Sequence, residues 1–141
     1  QRRQMDEIAA FLRQHDRFAA HNGITLVEMS AGRAVARMAL QPYHQNGAGM
    51  AHGGAIFTLG DLALAAAANA HGTIAVGINV SIQYVKAAHT GTLTATARET
   101  SLGPRLATYT VDITDGEGDT VAIMQGMVYR KRDVLPVNNG Q

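Results

Sequence analysis

Ala55-Ile56-Phe57-Thr58-Leu59-Gly60-Asp61-Leu62-Ala63-Leu64-Ala65-Ala66-Ala67-Ala68-Asn69-Ala70-His71 is the stretch that decides the architecture. Alanine, the strongest helix former, dominates its second half, so the segment reads as a helix. A helix that is apolar almost all round belongs in an interior, and small side chains let a sheet approach it closely on most sides. The run is interrupted by Thr58, Asp61 and Asn69 and is shorter than the roughly 20 apolar residues that span a bilayer. It therefore predicts a buried central helix and no membrane partner.

The flanks supply the sheet. Residues 24–30 and 33–40 read as a hairpin around Ser30-Ala31-Gly32. In its second strand Ala34, Ala36, Met38 and Leu40 point one way, while Arg33, Val35 and Arg37 point the other. Beyond the helix, Val76, Ile78, Val80, Ile82 and Tyr84 alternate with Gly77, Asn79, Ser81 and Gln83, which predicts a strand with one apolar face. Strand-like runs over 92–100, 106–114 and 120–129 are separated by Ser101-Leu102-Gly103-Pro104 and Asp115-Gly116-Glu117-Gly118, both turn-forming. Links this short imply antiparallel pairing. The prediction is an α+β domain over residues 21–132, with one antiparallel sheet of about six strands wrapped around the helix. Met5, Ile8, Phe11 and Leu12 recur at helical spacing, so residues 1–20 read as an amphipathic N-terminal helix packed on the domain as a lid. Residues 133–141 read as a loose tail.

Composition narrows the functions. Of 141 residues, 46% are hydrophobic and 16% charged, enough to build a core. Twelve Lys and Arg against 11 Asp and Glu leave a net charge of +1, far from the basic excess of a dedicated nucleic-acid binder. No cysteine is present, which excludes disulfide scaffolds, thiolate metal sites and cysteine nucleophiles. The six histidines show no ligand-like spacing, so no metal is expected. Residues 1–11 carry charges where the apolar core of a secretory signal would lie, which points to the cytoplasm.

Chemistry concentrates in Asn46-Gly47-Ala48-Gly49-Met50-Ala51-His52-Gly53-Gly54 and in Asp61. Two glycines at the start of a helix leave backbone N–H groups uncovered at the positive end of its dipole, a place for an anion or a developing oxyanion. Gly-Gly before a helix also serves simply to make a turn. Asp61 stands among Leu59, Gly60, Leu62 and Ala63, where an unpaired carboxylate is costly. It must have a hydrogen-bonded partner, face a polar cavity, or both. It is then either a carboxylate bonded to a loop amide or a general base or nucleophile. Asn46 either makes a turn or offers its amide to water or substrate.

The order Asn46, His52-Gly53-Gly54, Ile56-Phe57-x-Leu59-x-Asp61 and Asn69, with Ser81-Ile82-Gln83-Tyr84-Val85 later, resembles the hotdog-fold acyl-CoA thioesterases of the phenylacetate-degradation (PaaI-like) type. The resemblance implies a hotdog fold and hydrolysis of small or aromatic, phenylacetyl-like acyl-CoA, with coenzyme A as part of the substrate and no separate cofactor. It implies that Asp61 activates water or attacks the thioester. The Gly53 amide, with Gly54, would polarise the carbonyl, Asn46 would position water or the leaving group, and His52 would shape the loop. Family members that use an assisting Ser or Thr carry it where this chain has Gly77, with Thr73, Asn79 and Ser81 nearby, so that role has no residue assigned. Asn79, together with Met50 beside the loop, is expected to line the substrate site. Lys86 and Arg105 belong to a basic rim that either stays solvated or meets the phosphates of coenzyme A.

Geometry adds a requirement independent of the resemblance. Asp61 lies seven residues beyond Gly54, about 10 Å along a helix. One helix cannot readily bring both groups to a single carbonyl. Two helices running antiparallel across a two-fold axis can, so a homodimer with shared active sites is expected. The resemblance implies that such dimers pair further into a homotetramer, a dimer of dimers. The alternatives are a non-catalytic acyl-CoA-binding or regulatory hotdog protein and an acyl-thioester dehydratase. The latter would depend on His52 rather than Asp61.

Overall fold

The computed structural model describes residues 2–137. The chain opens with α1 (Arg2–His15) and α2 (Arg17–His21), followed by the hairpin β1 (Ile24–Ser30) and β2 (Arg33–Ala39). A 3-10 turn at Pro42–His44 and a loop lead into α3 (Gly53–Asn69). The strands β3 (Thr73–Tyr84), β4 (Thr92–Leu102), β5 (Leu106–Thr114) and β6 (Thr120–Val134) complete the chain. All six strands form one antiparallel sheet in the order β1-β2-β4-β5-β6-β3. By crossing between β2 and β3, α3 carries the chain from one side of the sheet to the far edge.

The sheet curls around α3. Leu59, Leu62, Ala63, Leu64, Ala66, Ala67 and Ala68 of the helix are buried against Met38, Leu93, Ala95, Val111, Ile113 and Met124. The approach is close enough that a Cβ at Gly60 would stand 2.8 Å from Cε of Met124, and one at Gly126 would run into Leu64. Small residues on both partners are what lets a six-stranded sheet wrap one helix.

Three details differ from the sequence expectation. The N-terminal helix breaks at Asp16, whose Oδ1 accepts the Ala19 N–H at 3.1 Å and caps α2, so 1–20 is not one helix. Second, β6 runs through Asp133 and Val134, Leu135 is buried, and its N–H donates to the Gly72 carbonyl. The expected tail at 133–141 thus begins inside the sheet, and its residues 138–141 lie outside the described residues. Third, β3 does not present one apolar face. A bulge between Gly77 and Asn79 shifts its phase. Val76 pairs with Tyr129 and is 43% exposed, whereas Val80 pairs with Gly126 and packs on the core. Ile78, within the bulge, is 54% exposed. Among the described residues β6 is the only strand paired with β3, so along most of its length the other edge is open, with apolar side chains beside it.

Candidate active site

The loop before α3 is built by its own polar groups. Asn46 Oδ1 accepts the N–H groups of Ala48 (2.9 Å) and Met50 (3.2 Å), and the Asn46 N–H donates to the Met50 carbonyl at 2.7 Å. Gly49 holds φ +78°, a conformation open to glycine. Behind the loop His44 is buried. Its Nδ1 accepts the Gln41 N–H, its Nε2 donates to the Asn22 carbonyl at 2.6 Å, and its carbonyl accepts the His52 N–H at 2.6 Å. With Oδ1 of Asn46 occupied by the backbone, its side-chain NH2 is the group left for a ligand.

His52 is the N-cap of α3. Its Nδ1 accepts the Gly54 N–H at 2.8 Å, so that amide is already used and the Gly53–Gly54 donor pair reduces to one. The Gly53 N–H has no acceptor among the described residues. It opens the helix at a cavity of about 370 Å³ lined by Asn46, Met50, Gly53, Ile56, Tyr84 and Lys86, among others. A lone backbone donor at a helix N-terminus, beside a side-chain amide and apolar walls, is suited to a polarised carbonyl on an apolar ligand.

Of the remaining sequence-predicted residues, Lys86 lines the same cavity and the others stand elsewhere. His52 and Gly54 line the opposite flank of the helix start, beside Phe18, Tyr43 and Thr58. Asn79 lines a cavity of about 420 Å³ with Ser81, Thr108 and Gln125, the last three on the outer sheet face, away from Gly53. Arg105 is turned onto the backbone, donating to the Arg130 carbonyl at 2.6 Å. Lys86 lines the Gly53 cavity, but its ammonium lies 2.8 Å from both Asp115 and Asp119. These hydrogen bonds hold its pKa well above the ordinary lysine value, and the Lys86 bond in turn pulls Asp115 below the usual carboxylate range. Lys86 is therefore a paired cation rather than a bare one. Among the described residues no cluster of His, Asp and Glu is arranged to hold a metal, and no helix is long and apolar enough to cross a membrane.

Asp61 stands apart from Gly53, as its spacing along one helix required. It neither has a hydrogen-bonding partner among the described residues nor lines the Gly53 cavity. It is exposed on the flank of α3 that the sheet leaves uncovered. Its pKa is nevertheless raised, first because neighbouring groups strip water from the carboxylate and second because Asp16 repels its charge. Tyr84 went unnoticed as a site residue. Its hydroxyl donates to the Gly53 carbonyl at 2.9 Å. A tyrosine ending an apolar strand, with a polar tip to satisfy, was the available signal.

The chain is similar to known proteins. Residues 48–122 match the thioesterase superfamily model. The acyl-coenzyme A thioesterase PaaI of Escherichia coli K12 is 34% identical over 118 residues, 83% of this chain and 84% of its own. The solved structure of the E. coli PaaI protein from the phenylacetic acid degradation operon aligns with a TM-score of 0.90 at 31% identity, covering 94% of this chain and 96% of that one. A hypothetical thioesterase of Streptococcus pneumoniae, solved with coenzyme A, aligns with a TM-score of 0.80 at 25% identity over 87% of this chain and 99% of its own. Fold, loop and similarity agree: the chain belongs to the thioesterase superfamily as a PaaI-like hotdog member, an acyl-CoA thioesterase.

Proposed function

We propose that this enzyme hydrolyses small or aromatic, phenylacetyl-like acyl-CoA to the free acid and coenzyme A at sites shared between two copies of the chain. The observation that carries the reading is a separation. The Gly53 N–H is unsatisfied in a cavity that Asp61 does not line, and Asp61 is unsatisfied on an open flank of the same helix. Each lacks what the other would provide. A two-fold copy running antiparallel brings the partner subunit's Asp61 to the Gly53 cavity. The open edge of β3, with Val76 and Ile78 exposed beside it, is a surface suited to that association. Further pairing of such dimers gives the tetramer expected for the family.

In the reaction the thioester oxygen sits on the Gly53 N–H and gathers negative charge as the carbonyl carbon is attacked. As a base, Asp61 takes a proton from water, whose oxygen bonds to that carbon. The C–S bond then breaks and the coenzyme A thiolate takes the proton. As a nucleophile, Asp61 itself bonds to the carbon, expels the thiolate and leaves an anhydride that water opens. The side-chain NH2 of Asn46 orients water or the leaving group. Paired as it is, Lys86 contributes less to phosphate binding than a free ammonium would. His52 acts through the loop.

Thiol release from a panel of acetyl-, hexanoyl-, palmitoyl-, benzoyl- and phenylacetyl-CoA tests the reading. Fastest release with the short and aromatic members is expected. Release confined to long acyl chains would contradict the substrate class. Binding without release would favour a non-catalytic acyl-CoA-binding protein.

A further inference from the structure

A helix that begins Gly53-Gly54 has the least rigid first turn a sequence can encode, because glycine confines its own backbone least. An oxyanion donor needs the reverse, since its value depends on being aimed before charge develops. The peptide that carries the Gly53 N–H is held on its His52 side, where the carbonyl accepts the Ala55 and Ile56 N–H groups at 2.9 and 3.1 Å, but neither bond runs through Gly53 itself. His52 bonds to Gly54, one residue past the free donor. Gly53 itself is gripped from across the cavity. The hydroxyl of Tyr84 donates to the Gly53 carbonyl at 2.9 Å, and the ring's Cζ and Oη lie 3.1 Å from where a Cβ on Gly53 would stand. Tyr84 is the last residue of β3 and lines the same cavity as Gly53, Asn46 and Met50.

We infer that Tyr84 is a positioning residue: by holding the Gly53 carbonyl, in the peptide that follows the donor, it limits rotation about the Gly53 Cα and so keeps the Gly53 N–H aimed at the thioester carbonyl. The inference rests on the proposed role of Gly53. It also makes Gly53 a residue selected for contact with the ring: a side chain there meets Tyr84 before it crowds a ligand.

Tyr84→Phe removes the hydroxyl and leaves the ring. It is expected to lower kcat about fivefold, the loss of one hydrogen bond, with KM changed less than about twofold because binding of the acyl and coenzyme A portions is untouched. Tyr129→Phe, at an exposed tyrosine outside the site, is the control and should leave kcat unchanged. A second measurement does not depend on turnover. Backbone 15N relaxation should show the Gly53 amide losing order in Tyr84→Phe. A third uses the contact: Gly53→Ala should reduce kcat far more in the parent than in the Tyr84→Ala background, where space for the methyl group exists. An unchanged kcat, an unchanged Gly53 order or an equal cost of Gly53→Ala in both backgrounds would overturn the assignment. Failure of the parent to release thiol from any acyl-CoA would instead overturn the reading on which it rests.

Discussion

The two halves of α3 have been put to opposite uses. From Leu62 to Asn69 every residue but Ala65 is buried, and the polar groups there are bonded. Asn69 receives the Ala75 N–H on Oδ1 and donates to the Ala65 carbonyl at 2.8 Å, pinning β3 to the helix end. Just beyond, His71 Nε2 lies 2.7 Å from Glu99, which also accepts the hydroxyl of buried Tyr109. From Gly53 to Asp61 only Ile56, Leu59 and Gly60 are buried, one backbone donor lacks an acceptor, and a carboxylate with a raised pKa faces outward. One half completes the fold within a single chain. The other leaves groups unsatisfied that a substrate and a second chain can satisfy.

The largest effect that bears on this contrast belongs to Asp61→Asn. Thiol release should fall 10²-fold or more, while the melting temperature rises. The sign follows from the raised pKa: the folded state binds the Asp61 proton more tightly than the unfolded chain does. The charged carboxylate therefore destabilises the fold at neutral pH, and stability is regained as pH falls through the folded pKa. A variant both inactive and less stable would break the comparison. Next, Asn69→Ala should destabilise by about 2 kcal/mol in urea unfolding, since it orphans the Ala75 N–H, yet leave kcat of the folded enzyme near its parent value. The smallest effect is expected from Asp16→Asn, which keeps a competent cap on α2 while removing the charge that repels Asp61. On the proposed mechanism activity needs Asp61 ionised and should be lost as pH falls through its raised pKa. The acid limb of the kcat/KM profile should move to lower pH in this variant, only partly, because loss of water is the larger cause.

Much of the architecture was legible in one sequence. Periodicity placed α3 and all six strands to within a few residues at their ends, because burial of one face imposes it. The bulge in β3 was not legible, since Gly77-Ile78-Asn79 keeps alternating in sequence while the backbone changes phase. Of the site, Asn46, Met50, Gly53 and Lys86 do share a cavity. Lys86 read as a free cation because its partners, Asp115 and Asp119, come from the distant β5–β6 turn. For Asp61 the spacing from Gly54, about 10 Å along one helix, pointed to a second chain, but the side-chain pattern alone did not. A pattern of burial does not say how many chains complete it.

Subunit exchange tests the shared site most directly. Asp61→Ala and Asn46→Ala chains, each first checked to release little thiol alone, are mixed in equal amounts, dissociated and reassociated, with exchange verified by mass-labelled chains. About half of the dimers are then mixed, and each holds one intact site and one doubly damaged site. The account predicts recovery to about a quarter of wild-type thiol release. Verified exchange with no recovery would mean that every site lies within one chain, and would contradict it.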